Sequence, residues 1–321
     1  MNNELDVIVL NNLGGGQSCQ VDRLPMPGET VKGYNWTPSI DSGKGPNTCI
    51  ALGRLGVRAA FIGKCGKDPA GDRGEKWMKE AGVDTSALLR TDEVMTGQGI
   101  RIVAKNGGNT IVCGESSSRA LTVAEVEREM DRLGKAKYFY GGFEIRSELT
   151  LAGLRKAKAM GITTITNYSP IPADFHGTLD CCDYVIVNET EAAAVCGLAS
   201  WRDLPIPELL QKTKDTLGCG CVIITLGGDG STGLDGKRRW RMNAVPVACV
   251  DTSGAGDAFL AGFAANLVWG KDEIEACRWA GLYASYTTQF KGTLPSYPLL
   301  PEAKAFVEAH LPEIRAEVET L

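Results

Sequence analysis

The chain has 321 residues, 23% charged and 43% hydrophobic, the make-up of a soluble globular protein with room for one large α/β domain. A formal charge of −5 with scattered Lys and Arg excludes the clustered basic face that nucleic acid needs. Apolar runs such as VIVL and CVIIT are strand-length and too short to span a membrane, so neither nucleic acid nor membrane is an expected partner.

The sequence opens without a basic segment leading into an apolar stretch, so no secretory leader is expected. Its eleven cysteines, an odd number with no C-x-x-C pair, lie mostly in apolar runs and read as free buried thiols of a cytoplasmic protein. Only His176 and His310 accompany them, which argues against a structural zinc site.

In chain order, DVIVL (6–10) reads as a buried strand, and GPNTCIALGRLG (45–56) as a helix that opens at Gly-Pro and stops at Gly56. AAFIGKCG (59–66) is again strand-like, and AGDRGEKWMKEAG is a helix ending at Gly82. Beyond it KYFYGGF, TTITNYS, DYVIVN and CVIITLGG are apolar strands separated by helical stretches such as LTLAGLRKAKAMG. Strands of this kind, alternating with helices, imply a mostly parallel sheet covered on both faces. The stretches 28–41 and 96–114 alternate polar and apolar residues instead, and the second carries a Gly-Gly turn at 107–108, the mark of a hairpin. They are expected to form a small antiparallel flap on a single domain spanning 1–321.

Ligands of an open parallel sheet bind at the carboxyl ends of its strands, where Glu144, Asn167, Asn188 and GGDG (227–230) fall. In VDTSGAGDAFLAGF (250–263), small residues before a helix leave backbone N–H groups bare for an oxyanion. Asp257 in the first turn is placed to take a proton from a hydroxyl, or simply to cap the helix. In NETE (188–191), Asn188 and Glu191 share a helical face suited to a hydrated Mg²⁺ or to an ordinary capping box. TLGGDGS (225–231) offers turn amides to phosphates, or makes a hairpin turn; DSGKGPN (41–47) offers Lys44 and Asn47 to a polar ligand, or holds a solvated lysine. No Walker A motif occurs, and NNLGGGQS (11–18) fails the spacing of a dinucleotide-binding loop.

The order of these stretches resembles the PfkB (ribokinase-like) carbohydrate kinases. DTSGAGDAF is similar to their second signature, and DSGKGPNTCIALGRLG with FIGKCGKDPAGD to their first. NETEA, ITLGGDGS and KGTLPS (291–296) fall between or after them in the family's order, and LPMPGETVKG, NETEA and KGTLPS most resemble the ribokinase branch. The resemblance implies a three-layer α/β/α fold with a small β-sheet lid, formed by about 11–42 and 96–115, over a mostly parallel sheet. It implies ATP-dependent phosphorylation of a hydroxyl on a small sugar or sugar-like substrate, with Mg-ATP and K⁺ as cofactors. Asp257 would be the base and Gly254, Ala255 and Gly256 the anion hole. Asn188, Thr225, Gly227 and Gly230 would bind ATP, and Glu191 would hold Mg²⁺ through water. Asp251, Ser253, Gly292 and Ser296 would form a potassium loop. Gly43, Lys44, Asn47, Glu144, Gly16 and Gln17 would line the acceptor site, and the lid would serve as a homodimer interface.

One stretch departs from the family pattern. Ribokinases carry an Asn and an Asp after the first strand that bind sugar hydroxyls; counted back from Pro27, those positions are Gly14 and Gly16 here. A diol site without its acceptors loses discrimination, so ribose is in doubt and the glycines leave room for a larger acceptor. Gln17, Asn12 or Asp22 would then compensate. The alternatives are a nucleoside kinase of the same fold or a low-turnover nucleotide or sugar sensor.

Overall fold

The computed structural model describes residues 4–321 apart from 39, 107, 115 and 176. Its layering begins with β1 (Leu5–Leu10), whose Val7 and Val9 enter one hydrophobic core while Ile8 and Leu10 enter another. A strand apolar on both faces has to lie inside a sheet covered by helices on each side. That sheet continues with β4 (Ala59–Gly66) and β5 (Leu88–Thr91) on one side of β1. On the other side run β8 (Ala136–Gly142), β9 (Thr163–Asn167), β10 (Tyr184–Asn188) and β11 (Cys221–Thr225), all parallel. The edge is extended antiparallel by β12 (Ser231–Leu234), β13 (Arg238–Met242) and β14 (Ala316–Thr320).

One face is covered by α1 (Lys44–Arg54), α2 (Pro69–Glu80), α7 (Ala255–Val268), α8 (Glu273–Thr287) and α9 (Leu300–His310). The other carries α3 (Val123–Leu133), α4 (Ser147–Ala159), α5 (Glu189–Val195) and α6 (Ile206–Leu217). Local chemistry sets several ends. The Asp68 side chain accepts from the amides of Ala70 and Gly71 ahead of α2, Thr122 and Glu125 close a capping box on α3, and α6 stops at Gly218 with φ 66°. Helix α7 is apolar almost all round because it is packed against α1, α8 and β8.

A separate sheet holds β2 (Gly14–Val21), β3 (Gly33–Pro38), β6 (Gly97–Ala104) and β7 (Asn109–Cys113) in the order β3-β2-β6-β7. The hairpin expected over 96–114 is present as β6–β7, closed by the Ala104 N–H on the Gly108 carbonyl at 2.8 Å, while Gly107 of its turn lies outside the described residues. The flap was expected to be antiparallel, yet its central pair, β2 with β6, is parallel, with Gly16 opposite Gly99. These strands come from separate excursions out of the main sheet, so no hairpin fixes their relative direction. Strand β2 lies within the lid that the resemblance placed at about 11–42, but its residues alone did not indicate it, since glycines and short polar residues carry little strand propensity. Most cysteines with described side chains are buried free thiols, but Cys249, expected among them, is exposed. No helix among the described residues is long and apolar enough to cross a membrane.

From β1 the strand order runs outward to β4 and β5 on one side and to β8 through β11 on the other. It therefore reverses between β1 and β8. The crevice beyond the carboxyl ends of those strands is where such a sheet takes its ligand.

Candidate active site

Asn11 and Asn12 leave β1 into this crevice, and Glu144 follows β8 into it. Asn11 is fully buried, and its Oδ1 accepts from the amides of Asn12 at 2.8 Å and Glu144 at 3.3 Å. Glu144 Oε2 in turn accepts the Lys44 amide at 2.9 Å, fixing the start of α1. Within α1, Asn47 Oδ1 accepts the Ser42 amide at 3.2 Å, while its Nδ2 donates to Asp257 Oδ2 at 3.0 Å. A continuous set of hydrogen bonds thus runs from the end of β1 to the first turn of α7. Lys44, Asn47, Glu144 and Asp257, distant in sequence, are brought to one place.

The electrostatics of this cluster follow from its burial. Asp257 is 8% exposed, and loss of water pushes its carboxyl up to about 6, with Asp41 adding to the rise and Lys44 and the Asn47 amide opposing it. Burial likewise raises Glu144 to about 7, against the pull of Lys44. Burial alone would lower Lys44, but the fields of Asp257, Glu144, Glu191 and Asp41 outweigh it and raise its pKa. The lysine stays charged among carboxylates whose charge it partly balances.

Asp257 is not the cap of α7. That position belongs to Gly254, at φ 77°, where a Cβ would lie 2.4 Å from Thr293 Cγ2, so both backbone and packing demand glycine. Among the described residues, nothing accepts from the amides of Gly254, Gly256 or Asp257. The Ala255 amide is turned back to the Thr252 carbonyl at 3.2 Å. A Cβ built on Gly256 would meet nothing within 4 Å, so there is open space beside it at the positive end of a 14-residue helix. Beside it, Asp251 accepts from the amides of Ser253 at 2.9 Å and Gly292 at 3.0 Å, tying two loops together, and Ser296 Oγ donates to the Thr293 carbonyl. Burial opposes the ionised form of Asp251, but these bonds and the nearby Arg101 prevail and lower its pKa.

Farther along the strand ends, Asn188 and Thr225 are register partners on β10 and β11. The capping box at 188–191 is fully formed: Asn188 Oδ1 accepts the Glu191 amide and Glu191 Oε2 accepts the Asn188 amide, each at 2.8 Å. Glu191 Oε1 has no hydrogen-bond partner among the described residues. GGDG is the turn joining the antiparallel β11 and β12, with Gly227 and Gly230 at positive φ. Asn167 at the end of β9 donates to the Ile186 carbonyl at 2.9 Å.

The small sheet supplies less than expected. A Cβ at Gly16 would lie 2.6 Å from the Gly99 carbonyl oxygen, so this glycine lets two strands approach rather than leaving room for a ligand. Gly43 brings α1 close to Glu144, its Cβ position 3.3 Å from Oε2. Gln17 is exposed and, by strand alternation, lies on the face of β2 opposite Gly16. Asp22 is also exposed, paired with Lys105 at 2.7 Å. Only Asn12 stands at the crevice, its Oδ1 accepting from Ser116 Oγ. Sequence reasoning missed Asn11, Asp41 and Arg101. Asp41 accepts the Gly43 amide and the Thr293 hydroxyl, at 2.8 and 2.9 Å. Arg101 donates from β6 to Ser253 Oγ at 3.2 Å; a lone cation in a strand of glycines and aliphatics was the available signal.

Comparison with known proteins agrees with this geometry. The family model described as pfkB family carbohydrate kinase matches residues 35–299. Ribokinase from Staphylococcus aureus is 30% identical over 303 residues, covering 92% of this chain and 97% of the relative. Ribokinase from Mus musculus is 30% identical over 305 residues, covering 88% and 90%. Among solved structures, the ribokinase of Giardia lamblia superposes with a TM-score of 0.86 at 25% identity, covering 96% of this chain and 99% of that one. Arabidopsis thaliana ribokinase, solved with ribose and ATP, gives 0.82 at 23% identity, covering 95% and 99%. A switch-point crevice, a buried carboxylate at a helix start and a family match across most of the sequence lead to one assignment: the chain belongs to the pfkB family of carbohydrate kinases, phosphotransferases that act on an alcohol group.

Proposed function

We propose that this protein transfers the γ-phosphoryl group of Mg-ATP to a hydroxyl of a small sugar or sugar-like alcohol, with Asp257 as the base. The observation that carries the reading is the placement of Asp257. It is buried, held through Oδ2 by Asn47, and set beside the open amides of Gly254 and Gly256. A carboxyl raised to about 6 is ionised at neutral pH yet basic enough to take a hydroxyl proton as the oxygen attacks. The charge spread over the phosphoryl oxygens in flight then meets oriented N–H donors at a helix start, which need no rearrangement.

Lys44, Asn47 and Glu144 would hold the acceptor, and Asn188, Thr225, Gly227 and Gly230 the nucleotide. The free Glu191 Oε1 fits a Mg²⁺ held through water; when bound, the ion neutralises phosphate charge. Asp251, Ser253, Gly292 and Ser296 fit a K⁺ loop that steadies the amides of the anion hole. The small sheet would act as a lid that excludes water. It exposes Trp36, Ile100 and Val112, apolar surface suited to pairing two copies. The ribokinase relatives and the ribose–ATP complex of one of them support a sugar acceptor and ATP. The many free thiols favour a reducing, cytoplasmic setting.

The test is an ADP-release assay with Mg-ATP over a panel of sugars, polyols, sugar acids and nucleosides. Acceptor-dependent release, faster in K⁺ than in Na⁺, is expected. ADP release indifferent to every acceptor would overturn the kinase reading, and equal rates in the two salts would remove the K⁺ loop.

A further inference from the structure

The site-facing side of the small sheet is almost bare of side chains. By register, Gly14, Gly16 and Ser18 of β2 share a face with Gly97, Gly99 and Arg101 of β6. Arg101 reaches Ser253 from that face, so the face is turned toward the start of α7. Arg101 is half-buried, and among the described residues it donates one hydrogen bond, to a neutral hydroxyl, and has no carboxylate within ion-pair distance. Several other arginines of the chain have settled differently. Arg58, Arg90, Arg132, Arg238 and Arg278, for example, each hold a carboxylate.

Asp251 lies close enough to Arg101 to feel its charge but is not ion-paired with it, so the guanidinium leaves most of its fork of N–H donors unused. The phosphoryl group already has the amides of Gly254, Gly256 and Asp257 and the positive end of α7. In the proposed reading the acceptor's hydroxyls have Lys44, Glu144, Asn47 and Asp257 on the floor of the crevice. What the lid adds is a cation, on a face where four glycines and the Ser18 hydroxyl offer little else to discriminate one acceptor from another.

We infer that the acceptor carries an oxyanion group, a carboxylate or a phosphate monoester, bound by Arg101 from the lid, so that the substrate is an acidic sugar-type alcohol rather than a neutral sugar. This rests on the kinase reading above and makes Arg101 a specificity-determining residue. Planar guanidinium and oxyanion pair through two parallel N–H···O bonds, a match that lysine makes only as a point charge.

The experiment uses the full chain with Mg-ATP and acceptors matched except for charge: gluconate against glucitol, ribonate against ribitol, 2-keto-3-deoxygluconate against 3-deoxyfructose, and fructose phosphates against fructose. The charged member of at least one pair is expected to have a kcat/KM about tenfold or more above its neutral partner. Which pair responds tells a carboxylate from a phosphate. In Arg101→Gln that preference shrinks by about tenfold through KM, and Arg101→Lys recovers part of it. Neutral members turned over as well as charged ones would overturn this inference while leaving the kinase reading standing. So would an Arg101→Gln variant whose kcat drops equally on both members, since the guanidinium would then act on the phosphoryl group. Failure of every acceptor would overturn both readings together.

Discussion

The two halves of the crevice are built from different material. Around Asp257, side chains hold one another: Asn47 grips Asp257, Asp251 joins the loops at 253 and 292, and Asp41 joins those at 43 and 293. Beneath the small sheet the surface is mostly backbone, with glycines at 14, 16, 97 and 99, the Ser18 hydroxyl and, among the described residues, one cation. Phosphoryl transfer has the same demands whatever the acceptor, so its half admits few solutions. Acceptor choice depends on a few groups that differ from one substrate to another, and that half is where the sequence departs from the pattern its family resemblance implies. Chemistry and selectivity are therefore separable here, and mutations should separate them.

The largest effect belongs to the first half. Asp257→Asn keeps the hydrogen bond to Asn47 within reach but removes the proposed base. Turnover is expected to fall by a factor on the order of 10² to 10⁴, with nucleotide affinity nearly unchanged. Steady-state rates alongside calorimetric ATP binding measure both. Retained turnover would mean that the cluster at α7 is structural and the division drawn above is wrong.

The same division explains what could be read from the sequence. The strands DVIVL, DYVIVN and CVIIT are apolar on both faces, and continuous apolarity is visible without neighbours, so the main sheet was legible. GAGD and NETE keep their spacing because backbone geometry at a helix start fixes it. Strand β2 was not legible as a strand, because GGGQSCQV is held by parallel pairing with β6 some eighty residues away and not by its own propensity. For the same reason Gly16 read as empty space, although the carbonyl of Gly99 fills it. Arg101 escaped notice because its partner Ser253 is 152 positions distant.

A second effect is on stability and depends on pH. Burial raises the folded-state pKa of Asp257 from 3.8 to about 6, so between those values the folded protein binds more protons than the unfolded chain. Stability contributed at this site is therefore intact below about 4 and is lost as pH rises through 6, by as much as about 3 kcal/mol. Asp257→Asn should melt close to wild type at pH 4 and above it at pH 8. Thermal melting across that range measures the gap. A gap that closes toward high pH would show that the folded site favours the charged carboxylate, and that Lys44 outweighs burial.

The smallest effect separates the halves most cleanly, because it uses the same methyl group in each. Gly16→Ala puts a Cβ where the Gly99 carbonyl oxygen lies 2.6 Å away, so β2 and β6 must part, at a cost of roughly 1–3 kcal/mol. Gly256→Ala meets nothing within 4 Å and sits in the first turn of α7, where alanine is the better helix former by up to about 1 kcal/mol. In the proposed mechanism its methyl would stand beside the amides that receive the phosphoryl oxygens. Denaturant midpoints should thus fall for the first variant and hold or rise for the second, while kcat falls in the second by about tenfold. If Gly256→Ala kept full kcat, the open space at α7 would lie outside the path of the phosphoryl group, and the anion hole would have to be sought at other amides.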